Sequence, residues 1–310
     1  MTITQDRPDV QMFLTFLNNL PGPKVHELDP VAARAQMVAM GPVAEAETGA
    51  LAVIRDLSIP GPAGVIPARL YDARESREPG PVVVFYHGGG FVIGNLDTHE
   101  PYCAEAARAL DMPVISIDYR LAPEHPWPAG PDDCEAATRW IAENIACTGL
   151  VTSGDSAGGN LTVITTMALR DKPAAVPVIA QFPIYPVVSD HNDWQSYRDH
   201  GVGKLLTVEA MDYFMNAYAA EQSHSRSAPL GFDHAGMPPT LIMTAGLDPL
   251  RDQGRAYAAA LISAGVPTVY REAIGNIHGF INLRKAIPSG QRDVAGALAA
   301  LKAMVAEITA

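Results

Sequence analysis

The chain of 310 residues carries a formal net charge of −12, and 48% of its side chains are hydrophobic. This composition predicts a globular protein with one large core, and the negative charge disfavours a nucleic-acid partner. No run of about 18 apolar residues and no leader-like N-terminus is present, so we expect neither a membrane span nor a secretory signal. The three cysteines (Cys103, Cys134, Cys147) lack C-x-x-C spacing, which favours free thiols and a cytoplasmic location.

Strands and helices are predicted to alternate along most of the chain. Strands are predicted near residues 51–58, 65–72, 81–86, 113–118, 149–154, 177–184, 239–245 and 267–272, and helices near 98–110, 131–145, 157–170, 250–264 and 290–308. The alternation after about residue 80 predicts an α/β fold whose eight-stranded, mostly parallel sheet is covered by helices. A turn rich in Pro and Gly joins the first two strands, which we expect to form an antiparallel edge.

The first chemical motif follows the third predicted strand. His87-Gly88-Gly89-Gly90 comes directly after an apolar run, and consecutive glycines let backbone N–H groups point at one atom. Such donors stabilise the negative oxygen that forms when a hydroxyl attacks an ester carbonyl, which predicts an oxyanion hole. A flexible turn or a phosphate loop is the alternative, but the chain has no G-x-x-x-x-G-K-[ST] pattern.

A G-x-S-x-G run centred on Ser156 lies between a predicted strand and a predicted helix. A serine on such a sharp turn faces an approaching electrophile, although small residues also make tight turns without any function. Further along, Asp248 follows the strand near 239–245 and His278 follows the last strand. Asp248 could instead cap a helix, and His278 could be a packed loop residue. Together the three predict a catalytic triad in the order Ser, Asp, His, which is the order of α/β-hydrolases.

The motifs together resemble those of the hormone-sensitive-lipase family of α/β-hydrolase esterases, in its GDSAG-type branch. The resemblance rests on His87-Gly88-Gly89-Gly90, the DYRLAPEHP tract at 118–126, the GDSAGG run at 154–159, the DPLRD run at 248–252 and the HGF run at 278–280. It implies a catalytic domain of residues 46–186 and 231–310 beneath a helical cap of residues 1–45 and 187–230. One departure is Asn276, which stands where the family usually has an apolar residue.

The expected reaction is the hydrolysis of a small-molecule ester with a short to medium acyl chain, by a serine carboxylesterase. Ser156 attacks, His278 moves its proton and Asp248 orients the imidazole, without a metal or an organic cofactor. Because the histidine must be neutral to accept a proton, activity should rise from acidic to mildly alkaline pH. The backbone N–H groups expected to hold the oxyanion belong to Gly88, Gly89 and Ala157.

The resemblance also bears on the substrate pocket and on the oligomeric state. The resemblance implies that the cap covers the site, and the pocket residues expected from it are Phe13, Phe16, Leu206 and Phe214. An amidase or arylesterase on the same triad is one alternative function, and a non-catalytic ligand receptor of the same fold is another. The resemblance also implies a homodimer that pairs through the last strand.

Overall fold

A single sheet of eight strands forms the centre of the computed structural model, which describes residues 7–310. The strands are β1 (Val53–Gly61), β2 (Gly64–Asp72), β3 (Gly80–Tyr86), β4 (Val114–Ile117), β5 (Cys147–Asp155), β6 (Val178–Ile184), β7 (Thr240–Leu247) and β8 (Thr268–Ile277). Their order is β1-β2-β4-β3-β5-β6-β7-β8. β2 is antiparallel to both of its neighbours, and every other neighbouring pair is parallel. The predicted α/β fold with a mostly parallel sheet is confirmed.

The α-helices are α1 (Pro8–Asn19), α2 (Pro30–Ala44), α3 (Leu96–Leu110), α4 (Ala129–Asn144), α5 (Ala157–Asp171), α6 (Gln195–His200), α7 (Val208–Tyr218), α8 (Arg251–Ser263) and α9 (Gly290–Thr309). Short 3₁₀ helices occupy Val25–Glu27, Pro229–Gly231 and Phe280–Asn282. The helices predicted from the sequence correspond to α3, α4, α5, α8 and α9. Among the described residues, no helix combines the length and the apolar character needed to cross a membrane.

The central strands are buried on both faces, because helices cover both sides of the sheet. In β3, Val82 and Val84 pack into one hydrophobic cluster while Val83 and Phe85 pack into another on the opposite face. This two-sided burial explains why β3 is apolar throughout instead of alternating apolar and polar residues. Because β3, β5 and β7 are parallel, their carboxyl ends lie along one edge of the sheet. The predicted site residues follow these ends.

Two segments outside the strand–helix alternation pack over this edge. Phe13 of α1 belongs to a buried cluster with Leu247 and Ile277, whereas Phe214 of α7 belongs to the cluster that also contains Phe91. The Asn18 side chain donates a hydrogen bond of 3.1 Å to the Gly203 carbonyl, which brings the two segments together. The division into a catalytic domain and a cap stays a prediction, and residues 1–6 of that predicted cap lie outside the described range.

Candidate active site

The predicted nucleophile lies on a sharp turn between β5 and α5. Ser156 has φ +57° and ψ −116°, a conformation that few residues other than glycine adopt. A Cβ at position 154 or 158 would overlap the Tyr86 carbonyl oxygen, so glycine at both positions lets α5 approach β3 closely. The Ser156 amide donates to the Ile184 carbonyl at 2.9 Å and anchors the turn to β6. The serine is thereby held at the carboxyl edge of the sheet.

The three predicted triad residues form one hydrogen-bonded chain. Nε2 of His278 lies 2.8 Å from the Ser156 hydroxyl, and Nδ1 lies 2.7 Å from Oδ2 of Asp248. Asp248 is fully buried, and its other oxygen accepts the Leu250 N–H at 2.8 Å, so the carboxylate is fixed in orientation. With the proton on Nδ1 directed at Asp248, Nε2 is left to accept the serine proton. The geometry is that of a general base beside a nucleophile.

The glycine loop after β3 requires one correction to the sequence analysis. The N–H of Gly88 donates to Oδ1 of Asp155 at 2.7 Å, so it is directed away from any substrate oxygen. Gly89 and Gly90 have φ values of +118° and +59°, and within residues 7–310 their N–H groups donate no hydrogen bond. The same holds for Ala157 at the start of α5. Because the Gly88 donor is already engaged, the prediction that it holds an oxyanion is not supported, and Gly89, Gly90 and Ala157 are the residues of these two segments whose N–H groups stay available.

The four predicted pocket residues differ in their contacts and in their exposure to solvent. The Phe214 ring lies against Gly90, since a Cβ there would come within 2.5–2.7 Å of its Cδ atoms. Leu206 packs in the same cluster as Phe214, and Phe13 packs beside Leu247, next to the triad aspartate. Phe16 is 54% exposed. Contact of these side chains with substrate stays a prediction.

Sequence reasoning did not identify Leu205, which lies over the histidine loop. A Cβ at Gly279, directly after His278, would be 3.1 Å from Cδ2 of Leu205. Leu205 thus lies against the residue that follows His278, and Phe214 lies against the glycine loop. Only the tertiary position of the 187–230 segment distinguishes Leu205 from its neighbour Leu206.

The unusual Asn276 faces away from the imidazole. Its amide nitrogen donates to Oδ2 of Asp293 at 3.2 Å, and its oxygen accepts the Ile277 N–H at 3.0 Å. The amide nitrogen therefore joins β8 to α9, and the oxygen makes a local contact at the end of β8. The departure from the family pattern changes a structural contact and leaves the hydrogen bonds of His278 intact.

The DYRLAPEHP tract is held by ion pairs and borders a cavity of about 450 Å³. Arg120 makes a two-pronged contact with Asp133 at 2.8 Å, and Arg34 of α2 bridges to Glu124. Asp118 faces the cavity half-buried, and its desolvation raises its pKa to about 6. These contacts agree with a structural role for the tract.

Comparison with known proteins identifies the family. Residues 83–282 match the model of a protein family that is described as having the α/β hydrolase fold. Esterase LipI of Mycobacterium tuberculosis is 37% identical in an alignment of 262 residues that covers 81% of this chain and 82% of that protein. Carboxylic ester hydrolase LipN of the same organism is 42% identical in an alignment of 272 residues that covers 82% of this chain and 71% of that protein.

A solved structure agrees with these relatives over the whole chain. An ester hydrolase from the metagenome of Lake Arreo, in complex with a derivative of bipyridine phosphonate, has a TM-score of 0.91 and 36% identity to this chain. The match covers 99% of this chain and 100% of that one. The chain therefore belongs to the α/β-hydrolase family, among its carboxylic ester hydrolases of the hormone-sensitive-lipase type.

Proposed function

We propose that the protein is a serine carboxylesterase that hydrolyses short- to medium-chain acyl esters through Ser156, His278 and Asp248. The observation that carries the proposal is the chain of hydrogen bonds of 2.8 and 2.7 Å that joins these three side chains at the carboxyl edge of the sheet. Neutral His278 takes the proton from Ser156 as the serine oxygen forms a bond to the acyl carbon. The protonated imidazole then gives this proton to the leaving alcohol, and Asp248 stabilises the charged ring.

The oxyanion of the tetrahedral intermediate is held by backbone donors from two segments. Gly89 and Gly90 approach it from the loop after β3, and Ala157 approaches it from the first turn of α5. The start of α5 adds the positive end of its dipole at the same point. Water then attacks the acyl carbon of the acyl-enzyme while His278 removes a proton from the water. His278 returns this proton to the Ser156 oxygen as the bond from that oxygen to the acyl carbon breaks, and the acid product loses its own proton to solvent and leaves as a carboxylate.

The preference for short and medium acyl chains rests on the side chains that cover the site. Phe214 covers the oxyanion loop and Leu205 covers the histidine loop, so the space over Ser156 has apolar walls on two sides. Ser156 itself is 8% exposed, which leaves a narrow approach to its hydroxyl. Long acyl chains would have to displace these cap residues, at a cost that short chains avoid.

The assignment is tested by hydrolysis of p-nitrophenyl esters from acetate to palmitate, with the parent protein and Ser156→Ala side by side. We expect turnover of the C2–C8 esters and loss of most of it in the variant. An organophosphonate should label the parent stoichiometrically at Ser156. Absence of both turnover and labelling would favour the receptor alternative, and labelling with turnover of amides alone would favour the amidase.

We also propose a homodimer that pairs through β8, the terminal strand of the described sheet. Apolar side chains stand exposed on this edge and on the adjacent helix: Val269 is 41% exposed, Ile274 49% and Ile262 of α8 59%. Pairing across a two-fold axis covers such groups and satisfies the open strand. A monomeric mass in light scattering at micromolar concentration contradicts this proposal. The cytoplasmic location stays a prediction from cysteine usage.

A further inference from the structure

Tyr185, the residue directly after β6, has a backbone conformation that is unusual for its type. Its φ is +33°, a value at which a residue with a Cβ is strained and glycine is not. The Tyr185 amide donates to the Met243 carbonyl of β7 at 2.5 Å, and the preceding Ile184 carbonyl accepts the Ser156 N–H at 2.9 Å. The strained residue is thus fixed between the nucleophile turn and the strand that precedes the triad aspartate.

The Tyr185 side chain is fully buried against the histidine loop. The centre of its ring lies 4.5 Å from the centre of the His278 imidazole, and the two ring planes are inclined by 51°. The Phe280 ring lies 5.8 Å from the tyrosine ring, at an inclination of 66°. Tyr185 therefore packs against the triad histidine and against the residue two positions after it.

The hydroxyl group of Tyr185 makes a further contact with the nucleophile turn. It donates a hydrogen bond of 3.3 Å to Oδ2 of Asp155, the residue before Ser156. Burial, together with the negative charge of Asp155, raises the pKa of this hydroxyl well above its usual value, so the group keeps its proton and stays a donor. The tyrosine ring is therefore held both by its backbone and by its hydroxyl group.

The contact with His278 matters because the hydrogen bonds of the triad change during the reaction. When the Ser156 oxygen bonds to the acyl carbon, the imidazole has taken its proton and must present it to the leaving alcohol. At that stage the hydrogen bond to Asp248 holds the imidazole at one nitrogen only. A fixed ring beside the imidazole restricts the rotation that remains. Misplacement of a catalytic group by about 1 Å can lower a rate about 100-fold, so this restriction affects turnover.

We propose that Tyr185 is a positioning residue that keeps the His278 imidazole directed at Ser156 and then at the leaving group. The ring makes the contact, whereas the hydroxyl bond and the strained backbone hold the ring in place. Backbone strain at a residue other than glycine persists where the surrounding structure enforces it, and it clusters at functional sites. The inference rests on the proposed function, because it gives Tyr185 a role in proton transfer by His278.

The test compares Tyr185→Leu, which removes the flat ring, with Tyr185→Phe, which keeps it. For p-nitrophenyl butyrate we expect Tyr185→Leu to lower kcat about 10- to 100-fold while KM changes less than about threefold, because the imidazole moves protons only in the chemical steps. Tyr185→Phe should keep at least about a third of the parental kcat.

Tyr257→Leu is the matched control for the loss of a buried tyrosine. Tyr257 is also fully buried, its hydroxyl accepts a hydrogen bond of 3.0 Å from the Gln181 amide, and its ring packs beside His234, a histidine outside the triad. Because this tyrosine has no contact with His278, the variant should change kcat by less than about threefold.

A background without the triad histidine separates a role through His278 from general damage. His278→Ala keeps a residual turnover from the remaining groups of the site. Adding Tyr185→Leu to it should lower this turnover by less than about twofold, because the tyrosine then has no imidazole to position. An equal loss of kcat in both backgrounds overturns the inference.

Two further results also overturn the inference: a folded Tyr185→Leu with parental kcat, and a Tyr185→Phe that loses as much kcat as Tyr185→Leu. If Tyr185→Leu does not fold, Tyr185→Met replaces it, because the unbranched methionine fills irregular space in a core. Should that variant also fail to fold, Tyr185→Phe decides, and a loss of about tenfold or more in its kcat overturns the inference. Ser156→Ala that keeps turnover would overturn the proposed function instead.

Discussion

The contact between Phe214 and Gly90 gives a quantitative test of how α7 supports the glycine loop after β3. In Gly90→Ala, the new Cβ would come within 2.5–2.7 Å of two ring carbons of Phe214, so the ring and the loop must separate by about 1 Å. Such overpacking costs about 1–3 kcal/mol of folding free energy. The left-handed φ of +59° adds about 1–2 kcal/mol for any residue with a Cβ.

Phe214→Ala removes the overlap but not the backbone strain. The single variant Phe214→Ala should lose about 3–5 kcal/mol, as buried phenylalanines do on truncation. In its background, Gly90→Ala should cost only the strain of about 1–2 kcal/mol. The two substitutions should therefore couple by about 1–3 kcal/mol, with the double variant more stable than the sum of the singles predicts.

The assay for this coupling is urea unfolding of the parent, both single variants and the double variant. The same four proteins are assayed with p-nitrophenyl acetate, for which Gly90→Ala should lower kcat about 100-fold in the parent and by a smaller factor without the ring. Additivity of the unfolding free energies within about 0.5 kcal/mol would refute the reasoning. It would mean that the ring and the glycine do not restrict each other.

Three further predictions concern contacts around the site. Burial raises the pKa of Asp118 to about 6, so its charged form costs stability that is absent near pH 4 and complete above pH 6. Asp118→Asn should leave the free energy of unfolding unchanged near pH 4 and raise it by about 1–2 kcal/mol at pH 8. This range is smaller than the full pKa shift implies, because the Asp118 side chain is one-third exposed and water screens its charge. Equal effects of the substitution at both pH values in urea unfolding would contradict this prediction. Asn276→Leu should lower the free energy of unfolding by about 1 kcal/mol, because Asp293 loses a hydrogen-bond donor. The kcat/KM for the ester should stay within about threefold of the parent value. A larger loss of kcat/KM would show that the Asn276 amide takes part in the reaction. Arg34→Met should lower the free energy of unfolding by about 2 kcal/mol, because Arg34 donates to two backbone carbonyls in addition to Glu124. Glu124→Gln should lower it by at most about 0.5 kcal/mol, because Glu124 is exposed. Equal losses of stability in thermal unfolding would show that the ion pair contributes more than the backbone contacts.

Much of the fold and the triad could be predicted because the signals are local. Ser156, Asp248 and His278 each follow a strand, and the carboxyl ends of parallel strands meet at one edge of the sheet. Strand count and sheet type followed from apolar runs separated by helix-length segments. These features depend on sequence order and on side-chain polarity, which are visible without tertiary structure.

The donors proposed for the oxyanion hole depended on information that no local pattern contains. The Asp155 carboxylate decides which of the three consecutive glycines has its N–H bound within the protein, because it accepts the N–H of Gly88. Leu205 and Leu206 are equally apolar in the sequence, and only the tertiary structure of the 187–230 segment distinguishes their contacts.

The packing of α1 against the far end of the chain has a consequence for synthesis. Its buried side chains Val10, Phe13 and Leu14 contact a cluster that includes Ile277, and Arg7 reaches both the Ile274 carbonyl and Asp293. At roughly 5–20 residues per second, a ribosome needs on the order of 15–50 s to make these partners after α1 has emerged. Helix α1 is thus synthesised before every other described helix but is among the last to be buried. During that interval its apolar face is open to chaperones and to other nascent chains.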